Sequence, residues 1–191
     1  MILLSNGKAL QQERLELFQN VYDAEKPKRV PIEVSVNWDA ATDYLGLDKR
    51  YVYWTPGTYF DIFDKVCSLL DTDKSPMSMS AHLPISDQIL QSRVFVMSAN
   101  GTVQHPELHS LEPSEYDEFI EDPYRCMCEK LLPRIYPALD APKFESAKIL
   151  AEAILSKRDW AAKAGAVQGA MIEKYEFAPL SYGGSSLAPF D

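Results

Sequence analysis

Two histidines four residues apart form the pattern in this chain that most directly suggests chemistry. The run His105-Pro-Glu-Leu-His109 has a spacing that would place two imidazoles on one side of a regular helix, where they could bind a metal ion. It lacks the His-Glu-x-x-His order of the zinc hydrolases, so we do not predict a metal site there. His105 and Glu107 could instead contact a bound ligand. The competing interpretation, which we favour, is that both are loop residues that hydrogen-bond to the backbone.

Two further patterns carry less information about function. Cys126 and Cys128 are two positions apart, and such residues on a helix point to different sides, so structural cysteines are favoured over metal ligands. The run Gly183-Gly184-Ser185-Ser186 could bind an anion, but no helix and no lysine follow it, which favours a flexible loop. These patterns therefore assign neither a metal ligand nor a catalytic residue.

Helices are the main elements that must position these residues. They are predicted over residues 8–23, 39–45, 56–70, 114–132 with a break at Asp122-Pro123, and 143–175, where Gly165 and Gly169 are candidate breaks. Residues 29–37 alternate apolar and polar side chains, which is typical of a strand, and a second short strand with an extended loop is expected between 76 and 84. Asn100-Gly101 predicts a hairpin turn between residues 93–97 and 102–105. This element order favours an α/β architecture.

Composition limits the class of partner. The chain has 191 residues and a formal charge of -9, and it shows no clustered lysine and arginine with which to neutralise a nucleic-acid backbone. A small-molecule or protein partner is favoured. No apolar run approaches the roughly 20 residues that span a bilayer, and residues 1–4 do not resemble a signal peptide. Three cysteines fit reduced thiols, so we expect a cytoplasmic protein that binds neither nucleic acid nor membrane.

Several runs of residues together resemble the uroporphyrinogen decarboxylase-like superfamily. Residues 13–18, Glu-Arg-Leu-Glu-Leu-Phe, and 28–32, Lys-Arg-Val-Pro-Ile, resemble its opening, where a helix leads through Arg-Val-Pro into the first strand of a barrel. Asn100-Gly101 with His105-Pro106-Glu107, then residues 115–123, then Leu132-Pro133-Arg134, follow in the order of the corrinoid-linked members. The resemblance implies that residues 1–191 are the helix-rich N-terminal portion of a single, incomplete (β/α)8 TIM barrel, since a complete barrel typically needs ~250 residues.

A barrel would place its site at the carboxyl ends of the strands. Within that expectation, the polar side chains at the end of the first strand are the best local candidates for substrate binding: Ser35, Asn37, Trp38 and Asp39. The competing interpretation is that Asp39 only caps the next helix and that Trp38 only packs. Asp71 and Asp73 lie near the position of a catalytic aspartate in the decarboxylases, but the surrounding residues match poorly, which favours solvated loop acids.

The resemblance also separates two activities. Uroporphyrinogen decarboxylases carry two arginines after the first strand, suited to a substrate with many carboxylates, and Val36 and Ala40 stand at those positions here. Tetrapyrrole decarboxylation in porphyrin biosynthesis is therefore the less favoured activity. In the methyltransferase branch, zinc activates a thiolate while a corrinoid carries the methyl group. Those ligands would lie beyond this chain, so no cofactor site is expected within it and we expect it to be inactive alone.

A hypothesis from a different class also remains open. An open part of a barrel exposes apolar faces and strand edges that need covering. The chain would then be a non-catalytic interaction fragment, pairing with a complementing chain or with its own copies, whereas the first hypothesis pairs it with a corrinoid protein.

Overall fold

The computed structural model describes residues 9–77 and 84–180, and helices dominate both ranges. The α-helices are α1 (Ala9–Tyr22), α2 (Trp38–Tyr44), α3 (Lys49–Trp54), α4 (Tyr59–Leu69), α5 (Pro84–Leu90), α6 (Tyr116–Glu121), α7 (Pro123–Cys126), α8 (Leu132–Ile135) and α9 (Lys143–Tyr175). Short 3-10 turns cover Pro56–Thr58, Pro113–Glu115 and Pro137–Leu139, and a π-helical turn, Met127–Leu131, joins α7 to α8. The strands are β1 (Val96–Met97) and β2 (Val103–Gln104).

The predicted portion of a TIM barrel is wrong. Within the described ranges, the sheet consists of β1 and β2, which pair antiparallel with Val96 opposite Gln104 and Met97 opposite Val103. Residues 29–37 alternate as a strand would, but the structure leaves them outside any sheet. Their bonds to other backbone groups are isolated ones, from Asp73 N to the Ile32 carbonyl at 2.9 Å and from Val36 N to the Pro76 carbonyl at 2.7 Å. Alternation alone does not make a strand, because a ladder needs a continuous partner.

Several local predictions are confirmed. The helix expected over 8–23 is α1, and the long helix expected over 143–175 is α9, which continues through Gly165 and Gly169 without a break. The expected interruption at Asp122-Pro123 separates α6 from α7, where Asp122 Oδ1 accepts a hydrogen bond from Arg125 N at 3.0 Å and caps the second helix. Helix α3 begins at a comparable cap, formed by Asp48. Sequence patterns missed α3 and α5, which have only six and seven residues.

The hairpin predicted at Asn100-Gly101 is also confirmed, with strands shorter than expected. Gly101 has φ of +84°, a conformation that residues with a side chain rarely adopt. A Cβ atom there would lie 3.0 Å from Arg50 Cγ and 3.1 Å from Arg50 N. Asn100 Oδ1 accepts from Thr102 N at 3.1 Å and holds the turn. The glycine is therefore needed both for the turn and for the close approach of α3.

The chain forms two compact units. The described part of the first unit contains residues 9–37, 63–77 and 167–180, and that of the second contains residues 38–62 and 84–166. The large buried side chains of the first unit include Leu17, Phe18, Phe63, Met77, Met171 and Phe177. Those of the second unit include Trp38, Val52, Tyr53, Tyr59, Ile62 and Leu139. No helix in the described ranges is long and apolar enough to cross a membrane. The short strand and extended loop expected between 76 and 84 fall largely on residues outside those ranges.

Candidate functional site

The residues predicted at the end of the first strand lie in different surroundings. Ser35 and Asn37 are exposed, whereas Trp38 is buried at the start of α2. The Trp38 ring meets Tyr59 edge-on at 4.8 Å between centroids and is tilted against Tyr53 at 6.5 Å. The geometry gives Trp38 a packing role in the core of the second unit.

Asp39 is tied to the same aromatic group by a hydrogen bond. The Tyr53 hydroxyl donates to Asp39 Oδ1 at 3.2 Å, and the Tyr59 hydroxyl donates to the Tyr53 carbonyl at 3.3 Å. Burial raises the pKa of the Tyr53 hydroxyl well above its usual range, and the Asp39 carboxylate raises it further. Tyr53 therefore stays protonated and donates a hydrogen bond to Asp39. The Asp39 carboxylate accepts this bond, which is a structural role.

A pocket of about 340 Å³ opens between α3, α5 and the hairpin in the second unit. Trp54 borders it from α3, and Phe95 precedes β1. Its further lining residues in the described chain are Pro84, Asp87, Gln88, Gln91, Ser92, Val96, Met97 and Val103. The volume lies at the lower end of the range typical of small-molecule sites. The pocket combines two aromatic rings and several apolar side chains with a few polar groups, which is the usual composition of such a site.

His105 lies beside this pocket. Its ring meets the Phe95 ring edge-on, with centroids 5.0 Å apart and an angle of 81° between the planes. Of the six residues predicted to bind substrate, His105 is the one with a described contact to a pocket-lining residue. Glu107 instead approaches His109, with Oε1 3.4 Å from Nε2, and both side chains are exposed. The predicted ligand contact of His105 and Glu107 thus reaches the pocket through His105 alone.

Sequence reasoning missed the residues that line the pocket. Trp54 and Phe95 are 41 positions apart and gave no pattern of their own. The available signal was the hairpin turn at Asn100-Gly101, because β1 and β2 form one wall of the pocket.

The described residues do not fit a zinc ion. Among residues 9–77 and 84–180, no three histidine, cysteine, aspartate or glutamate side chains gather where they could hold a metal. Cys126 is buried and Cys128 exposed, so the two thiols lie on different sides of their helical segment. The Gly183-Gly184 run lies outside the described residues.

Asp73 lies in a buried cluster of charges in the first unit, and the prediction that it is a solvated loop acid is wrong. Its side chain is 3% exposed and accepts from both terminal nitrogens of Arg29, at 2.6 and 2.5 Å, and from Ile32 N at 2.7 Å. Arg14 Nε lies 3.4 Å from Asp73 Oδ1. The hydrogen bonds from Arg29 hold the pKa of Asp73 below its usual range. Asp71, by contrast, is fully exposed as expected.

The cluster around Asp73 joins distant parts of the first unit. Arg14 on α1 donates to the Tyr175 carbonyl at 2.7 Å and to the Glu176 carbonyl at 3.1 Å, at the end of α9. Its guanidinium lies 5.6 Å from the centre of the Phe177 ring. Ala178 N donates to the Asp73 carbonyl at 2.8 Å. Arg14 Nε makes no hydrogen bond, but the terminal nitrogens of Arg14 and the carboxylate of Asp73 bond to the protein itself, which indicates a structural role.

A second charge cluster joins two of the runs that resemble the superfamily. Glu115 accepts from Arg134 Nη1 at 2.6 Å and Nη2 at 2.8 Å, a bidentate pair, and its Oε2 also accepts from Glu112 N at 3.0 Å. Lys130 lies 3.3 Å from Glu115 Oε1. The Arg134 guanidinium holds the pKa of Glu115 well below its usual range. These motif residues therefore shape the second unit rather than presenting free groups to a ligand.

With the geometry described, the chain can be set against known proteins. No family model, no curated protein and no solved structure matches it. The resemblance to the uroporphyrinogen decarboxylase-like superfamily accordingly rests on the runs of residues given above.

Proposed function

We propose that this chain binds a small molecule in the pocket beside the hairpin, as part of a cytoplasmic uroporphyrinogen decarboxylase-like protein of the corrinoid-linked methyl-transfer branch. The observation that carries the proposal is the contact between His105 and Phe95. His105 belongs to a run that resembles the corrinoid-linked members, and Phe95 lines the pocket. The free thiols of Cys67, Cys126 and Cys128 support the cytoplasmic compartment.

The residues of the pocket would bind and orient the substrate. Trp54, Phe95 and Met97 offer apolar surface that excludes water, while Gln88 and Ser92 offer neutral hydrogen-bonding groups. A corrinoid, when bound by a partner protein, supplies a carrier for the methyl group. Because the described residues do not fit zinc, no step is assigned to a metal in this chain. This chain would hold the compound that gives or receives the methyl group and would need its partner for turnover.

The test is isolation of the protein from its native source, followed by absorbance spectroscopy of the cyanide-treated extract and intact mass of every copurifying chain. We expect a corrinoid in near-stoichiometric amount, brought by a copurifying polypeptide. Uroporphyrin, titrated separately into the purified protein, is the control ligand. Its binding would indicate a surface that accepts any tetrapyrrole rather than a partner that carries a corrinoid. Isolation without any corrinoid would contradict methyl transfer. Tight binding of uroporphyrin would favour the decarboxylase alternative, which the pocket does not support because its described lining contains no lysine or arginine to bind carboxylates.

A second candidate is an interaction module, and exposed apolar side chains in the first unit favour it. Val30, Ile32 and Val34 alternate along one extended segment, and their exposed fractions are 78%, 50% and 39%. Such a run presents apolar surface to a partner chain. Light scattering tests this function: a mass well above the 21.6 kDa of one chain, reduced to that of one chain by Ile32→Ser, would support it. A monomer at high concentration would contradict self-association.

A further inference from the structure

The outer side of α9 carries apolar side chains that the chain leaves exposed. Over residues 143–166, which belong to the second unit, the inner side of this helix is marked by Ala153 and Ala164, which are buried. Around the outer side, Phe144, Ile154 and Leu155 have exposed fractions of 80%, 57% and 63%. A surface helix normally presents charged and polar side chains to water, so a second apolar stripe indicates contact with another molecule.

The spacing of this outer stripe suits a second copy of the same helix. Phe144, Ala151, Leu155 and Ala162 are all exposed and recur at intervals of seven, four and seven residues, which keeps them on one line along α9. In an antiparallel pair with its two-fold axis level with Ala153, Phe144 of each copy lies level with Ala162 of the other, and Leu155 with Ala151. A large side chain meets a small one at each of these levels, so the two helices can pack closely.

Exposed charges beside the stripe favour the same antiparallel arrangement. Lys148 and Asp159 are eleven positions apart, about three helical turns, so both lie on one side of the stripe. In the antiparallel pair Lys148 of each copy lies nearly level with Asp159 of the other, and the two-fold axis forms this pair twice. A parallel pair would instead set the two copies of Lys148 against each other, which is unfavourable. Asp159 also pairs with Lys163 on its own helix at 2.7 Å, but both are exposed and a carboxylate can accept from a second cation.

We propose that two copies of this chain associate through the outer side of α9, as an antiparallel pair of helices with the stripe at its centre and the Lys148–Asp159 pairs beside it. This surface is separate from the small-molecule pocket, which α3, α5 and the hairpin line, and from the exposed segment over residues 30–34. A single helix face over residues 144–162 is about 27 Å long. Such a contact is at the small end for specific interfaces, so we expect a reversible dimer.

Sedimentation velocity of the purified full chain over a range of concentrations measures the association. We expect an equilibrium between one chain of 21.6 kDa and two, with a dissociation constant raised at least roughly tenfold by Leu155→Ser, which removes apolar surface from the contact twice. Because Leu155 is exposed in the single chain, the variant should melt at the same temperature as the original chain at low concentration. A single chain at every concentration would overturn the proposal. Dissociation by Ile32→Ser but not by Leu155→Ser would overturn it too, and would place self-association on the extended segment.

Charge reversals test the orientation of the two helices. Lys148→Glu sets two carboxylates against each other and Asp159→Lys sets two ammonium groups together, so each variant alone should dimerise at least roughly threefold more weakly. An equimolar mixture of the two variants restores opposite charges at both pairs and should recover the dimerisation of the original chain. Lys157→Glu is the matched control for Lys148→Glu, because it changes the net charge equally and Lys157 is exposed about two and a half turns away, on the opposite side of α9. Equal weakening by Lys157→Glu, or no recovery in the mixture, would overturn the proposal.

Discussion

The two units of this chain are each held by a carboxylate paired with an arginine, but the two carboxylates lie in different surroundings. The Asp73 side chain is 3% exposed; of its two arginine partners, Arg14 is 9% exposed and Arg29 is 43% exposed. Glu115 is 15% exposed, while its partner Arg134 is 39% exposed. When its partner is removed, a buried charge loses the interaction that offset the cost of its desolvation. An exposed charge loses less, because water solvates it and replaces much of the interaction. The contrast teaches that similar hydrogen-bond distances need not carry similar stability.

The largest effect is expected for Asp73→Asn. The amide keeps the shape of the carboxylate but turns an NH2 group toward donors of Arg29 or the backbone, and it removes the negative charge that offsets the buried guanidinium of Arg14. We expect the free energy of unfolding to fall by about 3 kcal/mol, as for other broken buried pairs. Urea unfolding followed by circular dichroism measures this change.

Asp71→Asn is the matched control for that substitution. Asp71 lies two positions away and its Oδ1 is 3.4 Å from Arg14 Nη2, but its side chain is fully exposed. The change in unfolding free energy should stay within about 0.5 kcal/mol, as is usual for a surface site. If both variants unfolded at the same urea concentration, burial would not be what distinguishes the two carboxylates.

Gly101→Ala is expected to have the next largest effect. It tests how much the backbone geometry of the hairpin turn, as distinct from charge pairing, contributes to the stability of the second unit. Alanine at φ of +84° is strained, and its Cβ would lie 3.0 Å from Arg50 Cγ. We expect a loss of about 2 kcal/mol in thermal unfolding. Gly165→Ala is the control with the opposite sign, because nothing lies within 4 Å of a Cβ there and a helix interior favours alanine by about 1 kcal/mol. A neutral Gly101→Ala would show that the hairpin turn can relax.

These residues also show what could be predicted from the sequence. The hairpin, α1 and α9 depend on local patterns, namely an Asn-Gly turn and helical stripes, and a short window of sequence contains them. The surroundings of Asp73 depend on Arg29, which is 44 residues away, so no local pattern reports its burial.

The predicted strand over 29–37 failed for a related reason. Alternation indicates which side chains could share a face, but a strand also needs neighbours, and those come from elsewhere in the chain. In the pocket, the hairpin that forms one wall could be predicted from the sequence. Trp54 lies on α3, a helix of six residues, which is too short to show a helical pattern of apolar side chains. His105 was found because its motif lies directly after the hairpin.

The pH dependence of the unfolding free energy tests the contribution of the Asp73 carboxylate. The pKa of this carboxyl is lowered in the folded protein, chiefly by the hydrogen bonds from Arg29. Its stabilisation is therefore fully present above the unfolded pKa of about 3.9 and is lost as the pH falls through the lower folded value. We expect the unfolding free energy to decrease below about pH 5, and to decrease less in Asp73→Asn. Parallel pH profiles for the two proteins would contradict a lowered pKa at this site.

The smallest effect is expected for Glu115→Gln. The amide loses the charge that pairs with Arg134 and Lys130, but Glu115 is more exposed than Asp73 and both cations are partly exposed, so water replaces much of that interaction. Stability should therefore fall by clearly less than for Asp73→Asn, although the Arg134–Glu115 bonds are only slightly longer than the Arg29–Asp73 bonds and the pKa of Glu115 is also lowered. Glu118→Gln, which removes the charge that pairs with Lys130 and Arg125 and makes no contact to Arg134, is the control and should be close to neutral. A loss for Glu115→Gln equal to that for Asp73→Asn would mean that bidentate geometry, rather than burial of the carboxylate, decides how much each pair stabilises its unit.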